Sequence, residues 1–295
     1  MTWLSEMGLP SGKRSRLHRI FYGSNGPANG TGVFLPVDQG LEHGPRDFLD
    51  NPDAADTRYL FKLAKEGNFS AIVLQVGQVT KFAWEFAGEV PLIVKVNGKT
   101  EIPPDDEAFS PVQCSIEEAA RLGADAIGYT MYTGSPRQDD DFIQFHDVRE
   151  AAEALGLPVI VWAYPRGSAV EQKGGKESLY QVSYAARIAA ELGADIAKIN
   201  FPKAGPSKGA PKPYDTLDLS GIDAARHAIQ FAPRTPILIS GGSKEGDDAI
   251  LEKARMSFEA GAKGLIFGRN MFQRPLAEAV GLCERLHELA AKYPS

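Results

Sequence analysis

Apolar and polar positions recur along the chain in a repeated unit. An amphipathic helical stretch is followed by Leu-Gly-Ala or a close variant, then by a short β-rich apolar run and a polar loop. The clearest copies are RLGADAIGYT at 121–130, ELGADIAKIN at 191–200 and EAGAKGLIFG at 259–268. The glycine stands where the residue after a helix favours a left-handed backbone, and the apolar run has the length of a buried parallel strand.

Eight apolar runs of this kind occur, and each is predicted to form a strand. Their bounds are Val33–Asp38, Ala71–Gln75, Leu92–Val96, Ala126–Thr130, Val159–Ala163, Ile196–Asn200, Pro236–Ser240 and Gly264–Gly268. The intervening segments are typical of helices, as in Asp141–Leu155, where apolar residues recur at helical spacing. This alternation predicts an α/β fold, a single-domain (β/α)8 TIM barrel, with a doubly wound sheet as the alternative. We interpret residues 1–32 as an N-terminal cap segment and residues 33–295 as the barrel domain.

Composition narrows the possible partners. The net charge is −6, so no global basic field favours nucleic acid, and an anionic substrate must be met by local cations. No apolar run approaches the ~18 residues of a membrane span, and the basic N-terminal segment lacks the apolar core of a signal peptide, so we expect a cytoplasmic protein. Cys114 and Cys283 are far apart, and the five histidines are scattered. We therefore expect no metal site.

Glycine and arginine follow the last two predicted strands. Ser240, Gly241 and Gly242 end strand seven, and Gly268 and Arg269 end strand eight. The active site of a (β/α)8 barrel lies at this end of the strands, where backbone N–H groups and the start of a short helix commonly bind phosphate. A tight turn is the alternative for the glycine pair. The combination with Gly-Arg favours a phosphate site.

A lysine interrupts the sixth apolar strand. Lys198 stands between Ala197 and Ile199, where a branched apolar residue is expected. Burial disfavours the ammonium form and lowers the pKa of a lysine, and a neutral amine can attack a carbonyl to form a Schiff base. The alternatives are an ion-paired lysine inside the barrel and a side chain that reaches the rim. Lys95 on strand three is a rival nucleophile that spacing does not exclude.

Two further side chains are candidates for a role in the chemistry at Lys198. Tyr164 lies two residues beyond Trp162, on the same face of strand five, and we expect the neighbouring ammonium to lower its pKa and allow proton exchange. The alternative is an aromatic side chain packed at the rim. Asp38 ends strand one and is expected to point into the barrel mouth, as a partner of Lys198 or of a substrate hydroxyl. A loop-stabilising aspartate is the alternative for this position.

Cations gather in the loops after strands five and six, although the whole chain is acidic. These loops contain Arg166, Lys173, Lys176, Lys203, Lys208 and Lys212. With Arg269 and Lys244 they predict a second anion-binding region, as a substrate phosphorylated at both ends requires. We take Arg166 and Lys203 as its candidate substrate-binding residues. Solvated lysines without a ligand are the alternative.

Five segments resemble the archaeal-type class I fructose-1,6-bisphosphate aldolases, which also occur in bacteria. They are LPVDQGLEHGP, VIVWAYPRGS, GADIAKIN, ISGGS and IFGRNMFQR, in barrel order over about residues 30–290. The resemblance implies that Lys198 is the Schiff-base lysine, Tyr164 the proton-transferring residue and Asp38 the aspartate beside the lysine. It also implies that Trp162 lies in the pocket, that residues 240–242 and 268–269 grip a phosphate, and that Lys95 has a supporting role. An acidic residue that some members place after the lysine strand has no match in residues 201–213.

The expected activity is reversible cleavage of fructose 1,6-bisphosphate to dihydroxyacetone phosphate and glyceraldehyde 3-phosphate, in glycolysis and gluconeogenesis. The resemblance implies no cofactor and a homo-oligomeric assembly. The near alternative is another Schiff-base aldolase or condensing enzyme of the family that acts on a different phosphorylated ketose. The alternatives from other classes are a phosphosugar isomerase that uses Asp38 in acid–base chemistry, and a non-catalytic sugar-phosphate sensor.

Overall fold

Eight parallel strands close into a barrel in chain order. The computed structural model describes residues 2–295, and β1 pairs with both β2 and β8. The strands are β1 Gly32–Pro36, β2 Ala71–Gln75, β3 Leu92–Lys95, β4 Ala126–Thr133, β5 Val159–Pro165, β6 Ile196–Ile199, β7 Ile237–Ser240 and β8 Gly264–Ile266. The predicted (β/α)8 barrel is confirmed, and its closure excludes the open doubly wound sheet.

Helices separate the strands and cover the barrel. They are α1 Ser11–Tyr22, α2 Gln39–His43, α3 Thr57–Glu66, α4 Val76–Phe82, α5 Ile116–Arg121, α6 Gln138–Ala154, α7 Ser168–Gln172, α8 Leu179–Glu191, α9 Gly221–Gln230, α10 Asp247–Glu259, α11 Arg269–Phe272 and α12 Leu276–Ala290. The helix predicted over Asp141–Leu155 corresponds to α6. Across residues 2–295 the helices are all too short or too polar to span a bilayer.

Strand lengths differ from the prediction at the active-site end of the barrel. β4 and β5 continue to pair as far as Thr133 and Pro165, so both extend beyond their predicted ends. β1 and β8 end earlier than predicted, at Pro36 and Ile266, because the chain then turns into the short helices α2 and α11. The structure therefore places Asp38 in the loop that begins α2 and not at the end of a strand.

The two faces of each strand alternate between the barrel interior and the helices. Inside the barrel, Phe34, Ile160 and Ile196 belong to an apolar cluster that also includes Trp162. Since residues two apart on a strand share a face, Lys198 lies on the interior face directly beyond Ile196. The strand pattern thus carries Trp162 and Lys198 to the same layer, where they are register partners across β5 and β6.

Helix α1 covers the opposite end of the barrel through apolar and charged contacts. Leu17, Ile20 and Phe21 pack in the interior cluster. Lys13 is only 3% exposed, and its Nζ lies 2.9 Å and 3.1 Å from the two carboxylate oxygens of Asp195. The cation therefore joins the helix to the loop that precedes β6.

The aspartates of two repeat copies share one structural role. Asp125 and Asp195 end their Gly-Ala-Asp sequences, and Arg19 and Lys13 of α1 respectively pair with them. Each carboxylate also accepts a hydrogen bond from the first N–H of a neighbouring strand, at 3.0 Å for β3 and 2.8 Å for β5. The recurring aspartate thus stabilises both the strand start and the covering helix.

Replacement of Lys13 tests this junction. Lys13→Ala leaves the Asp195 carboxylate buried without its cation, so we expect the free energy of unfolding to fall by about 3 kcal/mol or more. Arg14→Ala, at an exposed position of the same helix, should change it by less than about 0.5 kcal/mol. Urea unfolding followed by circular dichroism measures both variants, and equal losses in the two would contradict the assigned role of Lys13.

Candidate active site

A polar cavity opens at the carboxyl ends of the strands. Its volume is about 310 Å³, and side chains from the ends of all eight strands or the loops after them line it. This volume is at the lower end of the range for small-molecule sites in proteins. The cavity therefore lies where a barrel of this topology places its chemistry.

Lys198 presents its amine at the floor of this cavity. The residue is only 4% exposed, and its Nζ lies 4.8 Å from the ring centroid of Trp162 and 5.5 Å from that of Tyr164. Burial lowers the pKa of Lys198 to about 8, against the opposing effect of the Asp38 and Glu42 carboxylates. The lowered pKa predicted from the strand pattern is confirmed.

Lys95 shares the same interior layer but its amine is held by its own loop. Burial also lowers the pKa of Lys95 to about 8. Its Nζ donates hydrogen bonds to the backbone oxygen and the side-chain Oδ1 of Asn97, at 2.8 Å and 3.0 Å. Within residues 2–295, no hydrogen bond engages the Nζ of Lys198. The unengaged amine is the better nucleophile, so the geometry favours Lys198 over its rival.

A glycine on β4 leaves room for the Trp162 ring and the Lys95 side chain. A Cβ atom on Gly128 would lie 2.9 Å from Cη2 of Trp162 and 3.0 Å from Cδ of Lys95. Contacts this short force a neighbour to move. The missing side chain therefore lets the indole and the Lys95 stem pack side by side under the cavity.

Tyr164 lines the cavity beside Lys198, as predicted, but its acidity differs from the prediction. Burial raises the pKa of the Tyr164 phenol, and the Asp38 and Glu42 carboxylates raise it further, while Arg166 opposes them. The expectation that the lysine ammonium lowers this pKa is wrong, because burial is the largest influence on the phenol and the two carboxylates act in the same direction. Tyr164 is consequently a protonated phenol at neutral pH.

Asp38 and Glu42 form an acidic wall of the cavity. Oδ1 of Asp38 is buried and has no hydrogen-bond partner within residues 2–295. Although Asp38 directly precedes α2, its side chain makes no capping bond, so the loop-stabilising alternative finds no support. Glu42 also lines the cavity. Glu42 was not assigned to the site from the sequence, although its place four residues after Asp38 was the available signal.

Several buried polar atoms around the cavity lack a partner in the described part of the chain. They belong to Asp38, Gln39, Gln75, Ser110 and Trp162, all of which line the cavity. Buried polar groups in folded proteins are nearly always hydrogen-bonded. These atoms are therefore positions at which a polar ligand can supply the missing partner.

The segments after β7 and β8 approach each other closely. A Cβ on Gly241 would lie 2.9 Å from Phe267 and Asn270 side-chain atoms, and one on Gly268 would lie 2.4 Å from the backbone oxygen of Pro36. Both positions therefore require glycine. The N–H of Gly241 donates to Ile266 at 3.2 Å. It is not free for a phosphate, which corrects the expectation for this group.

Gly242, Gly268 and Arg269 line the cavity near that junction. The Ser240 hydroxyl donates to Oδ1 of Asn200 at 2.7 Å. Its acceptor oxygen remains available to a ligand donor. The predicted phosphate segments thus meet at one side of the cavity.

Not all of the predicted loop cations reach the cavity. Arg166 and Lys176 line it, whereas the exposed Lys203 does not. Lys244 is paired instead with Asp50 at 3.1 Å. The prediction that Lys203 binds substrate therefore finds no support, because the loop after β6 carries this side chain outward. Lys99 lines the cavity in its place, and sequence reasoning missed it.

A closed barrel with a buried lysine of lowered pKa beside a phenol defines a carbonyl-processing barrel enzyme. The model of the DeoC/LacD family of aldolases matches residues 32–274. The chain belongs to this family.

Curated relatives and solved structures agree with that membership. The class 1 fructose-bisphosphate aldolase of Thermoproteus tenax is 40% identical over 261 residues, covering 88% of this chain and 89% of that protein. The enzyme of the same name from Halobacterium salinarum is 35% identical over 268 residues, covering 89% and 93%. An archaeal fructose-1,6-bisphosphate aldolase with its catalytic lysine bound to the carbinolamine intermediate has a TM-score of 0.80 at 36% identity, covering 94% and 98%. The fructose-bisphosphate aldolase of Slackia heliotrinireducens has a TM-score of 0.82 at 27% identity, covering 95% and 88%.

The pKa of Lys198 can be read from its reactivity. With a pKa of about 8, the neutral fraction of the amine rises about tenfold from pH 7 to pH 9 and then levels off. Labelling by pyridoxal 5′-phosphate and borohydride, followed by peptide mass mapping, should show this plateau at Lys198. Exposed lysines in the same samples supply the control. A labelling rate at Lys198 that still climbs at pH 10 would contradict the lowered pKa.

Proposed function

We propose that this chain is a class I, Schiff-base fructose-1,6-bisphosphate aldolase of glycolysis and gluconeogenesis. It cleaves fructose 1,6-bisphosphate reversibly to dihydroxyacetone phosphate and glyceraldehyde 3-phosphate. The observation that carries the proposal is the buried amine of Lys198, which has a pKa of about 8 and faces the cavity. The relatives that bear this name cover most of the chain at 35% and 40% identity.

Lys198 acts as the nucleophile. Its neutral amine adds to the C2 carbonyl, and loss of water from the carbinolamine gives an iminium ion. The iminium accepts the electron pair of the C3–C4 bond when that bond breaks, and it becomes an enamine. Protonation of the enamine and hydrolysis return the amine and release dihydroxyacetone phosphate.

Tyr164 carries the proton between these steps. As a protonated phenol, it donates to the C2 oxygen that leaves as water. The phenolate formed is strongly basic because its pKa is raised by burial and by Asp38 and Glu42. It then takes the proton of the C4 hydroxyl as C3–C4 cleavage turns C4 into an aldehyde carbon. One phenol thereby serves as general acid and then as general base.

The acidic wall stabilises the cationic intermediate. Asp38 and Glu42 favour the charged form of the Lys198 amine, and the iminium carries its positive charge at the same nitrogen. The unpaired Oδ1 of Asp38 can also accept a hydrogen bond from a substrate hydroxyl. The buried Trp162 ring, whose centroid lies 4.8 Å from Nζ of Lys198, helps to exclude water from the amine.

The two ends of the substrate lie on opposite sides of Lys198. The phosphate on C1 is close to the Schiff-base carbon, and Gly242, Gly268 and Arg269 in the segments after β7 and β8 receive it. The phosphate on C6 reaches toward the loops after β3 and β5, where Lys99 and Arg166 line the cavity. A cytoplasmic location accords with the two buried free cysteines. Homo-oligomer formation stays a prediction.

Covalent trapping tests the assignment of the nucleophile. Borohydride reduction with fructose 1,6-bisphosphate should give an adduct on Lys198, and Lys198→Ala should abolish the adduct and lower turnover at least about a thousandfold. Lys95→Met is the matched control and should still give the Lys198 adduct. Reactions are run with EDTA, because residues 2–295 contain no group of three or more His, Cys, Asp or Glu side chains placed to hold a metal. No adduct, or one only on Lys95, would refute the proposal.

Removal of the phenol hydroxyl tests the proton carrier. Tyr164→Phe should lower kcat for cleavage by about 10² to 10⁴, the contribution typical of a general acid–base group. Because the Lys198 amine is unchanged, the variant should retain covalent addition of the ketose. Coupled cleavage assays measure kcat, and mass spectrometry measures the adduct. A variant with normal turnover would exclude Tyr164 as the carrier.

A further inference from the structure

An aspartate in the loop after β3 bridges two cations of the cavity. Asp105 lies in a 3-10 helix, Asp105–Glu107, between β3 and α5. Its Oδ1 is 2.8 Å from Nζ of Lys99, and its Oδ2 is 3.0 Å from Nε of Arg166. Both cations line the cavity. Each oxygen of one carboxylate therefore neutralises a different cation.

The carboxylate sits on the solvent side of this cluster. The Asp105 side chain is 46% exposed, whereas those of Lys99 and Arg166 are 11% and 14% exposed. Burial alone would raise the pKa of Asp105, but Lys99, Arg166 and Lys176 together lower it. Asp105 is therefore an anion at neutral pH that can move outward into water while the cations stay.

The two cations have a second support that does not involve Asp105. Nζ of Lys99 lies 5.7 Å from the ring centroid of Tyr132, and the Arg166 guanidinium lies 5.6 Å from the same centroid. Arg166 also lies 5.5 Å from the centroid of the Tyr164 ring. These cation–π contacts hold both cations at the cavity when their counterion leaves. A phosphate offers them the same bridging geometry with more charge.

We propose that Asp105 is an internal counterion that occupies the subsite for the distal phosphate and must leave it before that phosphate binds. This inference rests on the proposed function. Substrate binds only to molecules in which Asp105 has left the subsite. The apparent affinity for the substrate therefore equals the intrinsic affinity multiplied by the fraction of molecules whose subsite is free. Asp105 thus tunes recognition of the C6 phosphate without touching the reacting carbons.

Asp105→Asn removes the competing charge and keeps the shape of the side chain. Two partly exposed ion pairs correspond to a change in affinity of about two- to tenfold. In the cleavage direction we expect KM for fructose 1,6-bisphosphate to fall by this factor. In the condensation direction KM for glyceraldehyde 3-phosphate should fall equally, and KM for dihydroxyacetone phosphate should stay within about twofold. Of these two triose phosphates, only glyceraldehyde 3-phosphate places its phosphate in the distal subsite.

Asp106→Asn is the matched control, since Asp106 is exposed on the same turn and forms no ion pair within residues 2–295. It should alter none of the three constants. The inference is overturned if Asp105→Asn leaves KM for glyceraldehyde 3-phosphate unchanged or raises it, if both triose phosphates respond alike, or if Asp106→Asn produces the same fall.

Failure of the proposed function has a different signature. It is seen as absence of turnover in the unsubstituted protein, whereas failure of the counterion role is seen in an active Asp105→Asn variant. Calorimetric titration of Lys198→Ala and Lys198→Ala/Asp105→Asn with fructose 1,6-bisphosphate reads the affinity without the chemistry. Tighter binding to the double variant supports the counterion role, and equal or weaker binding overturns it.

Discussion

Withdrawal of one lysine amine from water is the interaction on which the rest of the site depends. Desolvation is the largest influence on Lys198, and it brings the pKa of its amine close to neutrality. Asp38 and Glu42 oppose this effect, but neither is placed to fix the amine in a direct ion pair within residues 2–295. The barrel interior thus provides a group that is partly neutral before addition and well stabilised as a cation afterwards.

The surroundings of Lys198 show how a barrel distinguishes two similar lysines. Lys95 is as deeply buried as Lys198 and has a similarly lowered pKa, yet Asn97 engages its amine twice. Asn97 in turn accepts from the N–H of Thr130 and donates to its backbone oxygen, so it is tied to β4. Reactivity therefore follows from the absence of local hydrogen bonds at Lys198 as much as from burial.

The fold and the inward residues of the strands were predictable from the sequence, because a period of two on a buried strand fixes which side chains share the interior. Trp162, Tyr164 and Lys198 were found in this way. Lys99 was missed, and Lys203 was expected at a cavity that it does not line, since both residues lie in loops, whose paths have no periodicity to read. The pKa of Tyr164 was misjudged because burial of the phenol outweighs the effect of any neighbouring cation, and because Asp38 and Glu42, which are remote in sequence, raise this pKa further.

The covering helix at the far end of the barrel has a consequence for assembly of the fold. Two copies of the repeat end in Asp125 and Asp195, but the third ends in Lys263, which has the acidic Glu6 near it. The end of the barrel that α1 covers therefore presents both signs of charge in an asymmetric arrangement, and the N-terminal segment carries the complementary charges. A barrel of eight similar units would accept a covering helix in several rotations. This pattern of charge favours a single rotation of the covering helix relative to the barrel.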